Sequence, residues 1–183
     1  MNIEANSIFA VETPRLLLRL PEVDDAQAFL DIHQDPELIA LKQITLTKPI
    51  GGIDLAARNV ERMLRHWESR RFGQWAVVEK NTGLVIGCVG FYNPEGWPGI
   101  DLGWVVHRSR WGNGFATEAC RAAIDWAWTT GEIQHIISLI APHDLRSIRI
   151  ATKIGERFER ADEDPINGEK VHIYGICRPG ESS

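Results

Sequence analysis

Arg108-Ser109-Arg110-Trp111-Gly112-Asn113-Gly114-Phe115-Ala116-Thr117-Glu118-Ala119 stands between an apolar run of strand length and a run with helical spacing. Gly112 and Gly114 let the backbone take conformations closed to other residues and let a ligand approach the amides closely. Behind them Ala116, Ala119, Ala122, Ala123, Trp126 and Ala127 recur at three- and four-residue intervals, which predicts a helix over Phe115 to Thr130 with Gly131 as its terminator. The loop therefore feeds a helix N-terminus, where unpaired N–H groups and about half a positive charge suit a pyrophosphate without a dedicated lysine. Two rival readings of the turn stay open: a plain tight loop, and the phosphate turn of a dinucleotide-binding fold. The latter wants Gly-x-Gly-x-x-Gly directly after an early strand and an acid about 20 positions on. Here Thr117 stands at the third glycine, His107 to Trp111 intervene, and the strand begins near residue 100 of 183, although Glu132 could pose as the acid.

Outward from this turn, Ile100 to Val106 reads as the strand before it, and Ile133 to Ala141, stopped by Pro142, as the strand after the helix. Asp144 can cap a helix from Leu145 to Ile154 that Gly155 ends. Glu156 to Asp162 and Lys170 to Cys177 form a hairpin through Pro165-Ile166-Asn167-Gly168, and Gln74 to Lys80 with Leu84 to Tyr92 form another through Asn81-Thr82-Gly83. Upstream, Arg15 to Leu20 is a short strand closed by Pro21, and Asp24 or Asp25 caps a helix through Ala26, Phe29, Leu30 and Ile32. Leu38 to Lys42 adds a turn or two, and from Asp54 to about Arg70 the residues Val60, Met63, Leu64 and Trp67 mark one face of a longer helix. The order is strand, helices, three strands, helix, strand, helix, two strands, with neither internal repeat nor linker.

A chain of 183 residues fits one domain, whose folding buries about 70% of the surface exposed when unfolded. With 44% hydrophobic and 25% charged residues the composition is that of a globular protein. A net charge of −5 and a pI near 5.7 argue against nucleic acid held by bulk electrostatics. The local cluster Arg62, Arg65, Arg70 and Arg71 is interleaved with Glu61 and Glu68 and reads as a solvated helix face. Cys88, Cys120 and Cys177 are odd in number and lack Cys-x-x-Cys, which points to neither a disulfide framework nor a metal site and fits a reducing compartment. No signal peptide precedes Thr13 and no apolar stretch approaches the ~18 residues of a membrane span, so the expectation is a cytoplasmic protein without membrane contact.

Several segments together resemble a known family. Asp101-Leu102-Gly103-Trp104-Val105-Val106, the turn Trp111 to Ala119, and Trp126-Ala127-Trp128 are similar to the acetyl-CoA-binding core of GNAT N-acetyltransferases. Glu12-Thr13-Pro14-Arg15-Leu16-Leu17-Leu18-Arg19 with Asp24-Asp25-Ala26 resembles the N-terminal signature of the RimJ/RimL branch, and Pro142-His143-Asp144-Leu145-Arg146-Ser147 closing on Lys153-Ile154-Gly155 its second cofactor motif. The matches run from about residue 12 to 178 and imply a single domain. The fold implied is mixed α/β: a mostly antiparallel central sheet with one splayed pair of parallel strands, flanked by helices. The activity implied is transfer of an acetyl group from acetyl-CoA, as co-substrate, to a primary amine on a small molecule or a protein N-terminus. The alternative is a non-catalytic acyl-CoA-binding module of the same fold. A homodimer is possible through an edge of the last hairpin.

The family's direct attack needs no covalent enzyme intermediate, consistent with the lack of a Ser-His-Asp or Cys-His arrangement. By resemblance, backbone groups of Trp104, Val105 and Val106 pair with the pantetheine arm, and one amide, that of Val106, faces the thioester oxygen. Pyrophosphate then lies on Trp111, Gly112, Asn113, Gly114, Phe115, Ala116 and Thr117, with Arg110 and Arg108 reaching phosphates or simply exposed. Trp111 departs from the Gln or Arg usual there. Asp101 stands where relatives carry a strand Glu and is the candidate base, acting directly or through water. It could equally bind only the substrate's charge or have no role. Asp144 replaces the branch's Asn, which bonds pantetheine; an Asp accepts but cannot donate, and it is also a good helix cap. Ser147 is the candidate acid near the sulfur, or an inert helix serine. Trp67, Trp75, Trp97 and Tyr174 are candidates to line the acceptor cleft, although large aromatics at such spacings are more often core.

Overall fold

A computed structural model describes residues 9–41, 51–130 and 132–180. Strands β1 (Val11–Glu12), β2 (Leu16–Arg19), β3 (Gln74–Glu79), β4 (Leu84–Tyr92), β5 (Asp101–Val106), β6 (His135–Ile140), β7 (Arg157–Glu163) and β8 (Lys170–Cys177) join in one sheet of order β1-β2-β3-β4-β5-β6-β8-β7. All neighbours are antiparallel except β5 with β6. This is the mixed α/β architecture, mostly antiparallel with one parallel pair, that the resemblance implies. The last strand enters the sheet between β6 and β7, so β6 is laddered to β8 and not to its sequence neighbour β7.

Helices cover both faces. On one side lie α1 (Ala26–His33), α2 (Pro36–Leu41) and α3 (Ile53–Arg70); Phe29, Ile32, Ala56 and Val60 pack there against Ala76, Cys88 and Val105 of the sheet. On the other lie α4 (Phe115–Thr130) and α5 (Leu145–Ile154). Ala119, Cys120, Ala123 and Ala127 of α4 are fully buried, and their small side chains let that helix approach the strands closely. Central strands buried on both faces explain apolar runs such as Trp75-Ala76-Val77-Val78.

Local chemistry departs from expectation in two places. A 3-10 turn at Val23–Asp25 precedes α1, and the Asp25 carboxylate, at the N-cap of α1, makes no side-chain cap to that helix but completes the capping box of the 3-10 turn. It accepts two 2.7 Å bonds from Arg19 and one from the Glu22 N–H, because a carboxylate only 5% exposed is better served by a guanidinium. Trp67 and Trp75 belong to the core: with Phe91 and Trp126 they form an aromatic cluster with centroids 4.8–6.4 Å apart. Gly155 ends α5 at φ 99° as expected, whereas Gly131, expected to end α4, and Lys42 lie outside the described residues. No helix among the described residues is long and apolar enough to cross a membrane.

Candidate functional site

The parallel pair parts almost as soon as it forms. β5 and β6 share one bridge, Asp101 with Ile137, and the Ile137 N–H donates to the Ile100 carbonyl at 2.9 Å. A continuing parallel ladder would send the Leu139 N–H to the Leu102 carbonyl. Instead Leu139 N–H donates to Asp101 Oδ1 at 3.2 Å, and the Leu102 carbonyl accepts from Ser138 Oγ at 2.9 Å. Two side chains thus take the places of two backbone partners, and the strands diverge beyond them. Further along β5, His107 N–H donates to the Ile86 carbonyl at 2.7 Å, so alternation turns the backbone groups of Val105 toward β4 and those of Trp104 and Val106 toward the opening. Val105, grouped with those two from the sequence, faces away. The Val106 carbonyl accepts from the Trp111 indole N–H at 2.7 Å, leaving the Val106 N–H on the open edge.

The glycine turn lies at the end of the same strand. Gly112 and Gly114 have φ of 78° and 79°, the left-handed conformation that favours glycine. Asn113 pins the turn through its side-chain amide, which donates to the carbonyls of Arg110 and Trp111 at 3.2 and 3.1 Å. The first helical bond runs from Glu118 N–H to the Gly114 carbonyl, so the amides of Phe115, Ala116 and Thr117 precede any intrahelical acceptor. A negative side chain in that first turn works against an incoming phosphate, and the fold neutralises it. Glu118 accepts from Thr13 Oγ1 and from Arg15 Nε, both at 2.6 Å, while Arg15 also donates to the Asn113 carbonyl at 3.0 Å and lies over the Phe115 ring at 4.4 Å. Burial pushes the Glu118 carboxyl up, but the bonds from Thr13 and Arg15 outweigh it and hold it below the ordinary range. Arg15 is a site residue that sequence reasoning missed, since its partner lies 103 positions away. A groove of about 890 Å³ runs on from this turn, lined by Thr13, Arg15, Gly114, Thr117, Arg121 and Lys153 among others.

The second motif stands across the opening. Asp144 caps α5, accepting the Ser147 N–H at 3.0 Å, and its other oxygen accepts the Ser147 hydroxyl at 2.7 Å. Both side chains are buried, at 5% and 8% exposure. A hydroxyl has one proton, and here it lies on the carboxylate, so Ser147 as placed is an acceptor and not a free donor toward a sulfur. Arg108 and Arg110, the expected phosphate ligands, are paired otherwise: Arg108 Nε with Asp35 at 3.1 Å, and Arg110 Nη2 with Glu79 at 3.0 Å. Glu37 of α2 bridges Arg108, on the β5 arm, to Arg146, on the β6 arm, and Arg146 stacks 4.3 Å over the Trp111 ring. The Trp111 substitution therefore exchanges a polar contact for a platform under an arginine.

Asp101 is 6% exposed at the foot of the opening, and its second oxygen lies 3.4 Å from the Trp97 indole nitrogen. Trp97 packs edge-on to Tyr92, whose ring is 5.4 Å from that of His66. Burial, then the charges of Arg70 and Arg62, lower the His66 pKa from the ordinary imidazole range. Of the aromatics expected at the acceptor cleft, Trp97 stands beside Asp101, while Tyr174 packs on Phe158 of the last hairpin. Ser138 and Glu156, joined at 2.9 Å beneath the opening, were not expected from the sequence.

Comparison with known proteins agrees with this geometry. The family model described as "Acetyltransferase (GNAT) domain" matches residues 15–157. The chain is 26% identical over 165 residues to an uncharacterized N-acetyltransferase, p20, of Bacillus licheniformis, covering 88% of this chain and 91% of that one. Among solved structures it is similar to an acetyltransferase from Agrobacterium tumefaciens, with TM-score 0.79, 24% identity and coverage of 92% and 94%. It also superposes on Mycobacterium smegmatis RimJ in complex with CoA-disulfide, with TM-score 0.76, 17% identity and coverage of 92% and 85%, a likeness of fold. A match over most of the chain, together with the parted strands and the glycine turn, leads to one conclusion: the chain belongs to the GNAT acetyltransferase family.

Proposed function

We propose that the chain transfers an acetyl group from acetyl-CoA to a primary amine by direct attack, without a covalent enzyme intermediate. The observation that carries this reading is that β5, which parts from β6 after one bridge, leads through a 3-10 turn at Arg108–Arg110 into a turn with two left-handed glycines at a helix N-terminus. An extended pantetheine arm fits the strand edge that faces the opening, and a diphosphate fits the turn. The amine nitrogen bonds to the acyl carbon of acetyl-CoA as the carbon–sulfur bond breaks, and coenzyme A leaves as a thiolate that takes a proton from water.

The chain's own groups do the rest. Trp104 and Val106 offer backbone groups to the arm, and the Val106 N–H meets charge developing on the acyl oxygen, an effect of about 3–4 kcal/mol in comparable sites. Amides from Gly112 to Thr117 hold the diphosphate, with Glu118 neutralised by Arg15. Arg121 and Lys153 in the adjoining groove take the place of Arg108 and Arg110 as cations for the nucleotide end. Asp144 and Ser147, both acceptors here, suit amide donors on the arm. Asp101 accepts the proton of the amine, directly or through water, beside Trp97 and Tyr92.

The test pairs ligand binding with turnover. Acetyl-CoA and CoA at about 100 times Kd add roughly 2.7 kcal/mol to stability, which NADH and ATP do not. A panel of small amines and peptide N-termini is then followed by thiol release. Asp101→Asn keeps an oxygen for Leu139 but loses basicity, so acetyl-CoA binding persists while kcat falls by at least about 100-fold. Binding without turnover on any amine makes the chain an acyl-CoA-binding module, and no binding at all refutes the proposal.

A further inference from the structure

Glu156 follows Gly155 at the end of α5 and is 2% exposed, the least accessible of the buried glutamates and aspartates together with Asp164. Its Oε1 lies 2.9 Å from Ser138 Oγ, and that same oxygen lies 2.9 Å from the Leu102 carbonyl. Proton counting decides how these contacts coexist. The carbonyl can only accept and the hydroxyl has one proton to give. If Ser138 donates to Leu102, then Oε1 must bring its own proton to Ser138. An ionised Glu156 would instead draw the hydroxyl to itself and leave the Leu102 carbonyl, already outside the ladder, without its donor. The surroundings favour the neutral form. Asp101 at the start of β5 and Glu159 of β7 are the charged groups felt by this carboxyl, both negative, and Glu159 is itself bonded to His135 at 2.7 Å and near Arg160. Oε2 is buried and meets no donor among the described residues, tolerable for a neutral carbonyl oxygen and costly for an anion. Burial first, then the two carboxylates, raises the Glu156 pKa to about 8, against the opposing pull of Ser138.

We infer that Glu156 is a positioning residue of the slot: its protonated carboxyl donates to Ser138, Ser138 donates to the Leu102 carbonyl, and this relay fixes the point at which β5 and β6 part. It does not touch the reacting atoms. Together with Asp101, which holds Leu139 from the other strand, it sets the width of the opening that the backbone of Trp104 and Val106 presents. The inference rests on the proposed acyl-CoA reading for its functional consequence, while the relay itself can be observed without ligand.

The experiment compares wild type, Glu156→Gln, Glu156→Leu and Ser138→Ala at pH 6.5 and pH 9.5. Hydrogen exchange is followed in peptides from β5 and β6 without ligand, and acetyl-CoA affinity by calorimetry. Gln donates as the protonated acid does, so Glu156→Gln protects these peptides at both pH values as wild type does at pH 6.5. Wild type at pH 9.5, Glu156→Leu and Ser138→Ala exchange faster there and bind acetyl-CoA more weakly, by roughly fivefold to tenfold for one lost buried hydrogen bond. Equal exchange in wild type and Glu156→Gln as pH rises, or unchanged exchange in both Ser138→Ala and Glu156→Leu, overturns the relay. Wild type that shows the exchange pattern yet binds no acetyl-CoA overturns the cofactor reading and leaves the relay standing as a purely structural device.

Discussion

Replacing Glu156 by glutamine tests the buried carboxyl through stability alone. The native state holds a proton on Glu156 up to about pH 8, whereas the unfolded chain gives it up near 4.5. Between those values the native state binds one proton more than the unfolded one, so this group's contribution is fully present below about pH 4.5, falls as pH rises, and is gone above about pH 8. Each pH unit in that window costs about 1.4 kcal/mol, and from pH 5 to pH 7 the loss is about 2.5 kcal/mol. Glutamine has no such proton and keeps a donor for Ser138. The variant should therefore gain about 2.5 kcal/mol on wild type between pH 5 and pH 7, roughly 5–10 °C in Tm for a domain of this size. Thermal melts of both proteins at half-unit steps from pH 4.5 to 8.5 read this directly, since the remaining titrating groups are shared. Parallel Tm curves would mean that Glu156 is ionised in the native state, and the proton count through Ser138 would be wrong.

Other substitutions probe the turn and the second motif. Gly114→Ala places a Cβ at φ 79° with Arg15 3.7 Å away, costing about 1–2 kcal/mol of stability and weakening acetyl-CoA binding, both readable in one titrated melt. Arg15→Ala barely changes Tm, because the pair with Glu118 is exposed on the arginine side, but it leaves a carboxylate in the first turn of α4. Acetyl-CoA affinity should drop several-fold at low salt and less at high salt, and equal loss at both ionic strengths would argue against electrostatic support. Asp144→Asn keeps an acceptor for the Ser147 N–H but removes the oxygen that takes its hydroxyl proton. Stability should change by less than about 1 kcal/mol, while the freed hydroxyl can turn to the leaving thiolate as a proton donor that the wild type lacks and so raises kcat; a fall in kcat would show that the carboxylate itself is required.

What the sequence disclosed was local. Gly112 and Gly114 announce a left-handed turn because few other residues tolerate it, Asp144 announces a cap three residues before the amide that it holds, and Gly155 announces the end of α5. The succession of elements from β2 to β6 followed from alternation and turn residues within a few positions. What escaped was either distant or disguised. The grip of Arg15 on Glu118 and Asn113 joins segments that no periodicity connects. Glu156 opens the run Glu-Arg-Phe-Glu-Arg, which reads as a hairpin strand without marking any one charge as buried, and only the insertion of β8 beside β6 and the return of α5 carry it under the sheet. Arg110 looked like a phosphate ligand because it adjoins the glycine turn, yet Glu79 at the end of β3 claims it. Val105 was included with Trp104 and Val106 because the hydrogen-bonding face of a strand residue depends on its register with the next strand, which composition does not carry.

The single bridge between β5 and β6 divides the sheet mechanically. β6 is laddered to β8 through six residue pairs but to β5 through one, so the sheet is two panels meeting at a seam and strapped behind by α4 and α5. A force that pulls the seam open has to break little backbone bonding, whereas shearing β6 from β8 has to break a whole ladder. An extended molecule lodged in the seam acts as a rivet: it bonds to β5 on one side, leans on α5 on the other, and makes two panels yield as one. In a single-molecule pulling experiment across residues 100 and 177 the empty chain should rupture in two steps, and the ligand-bound chain in one.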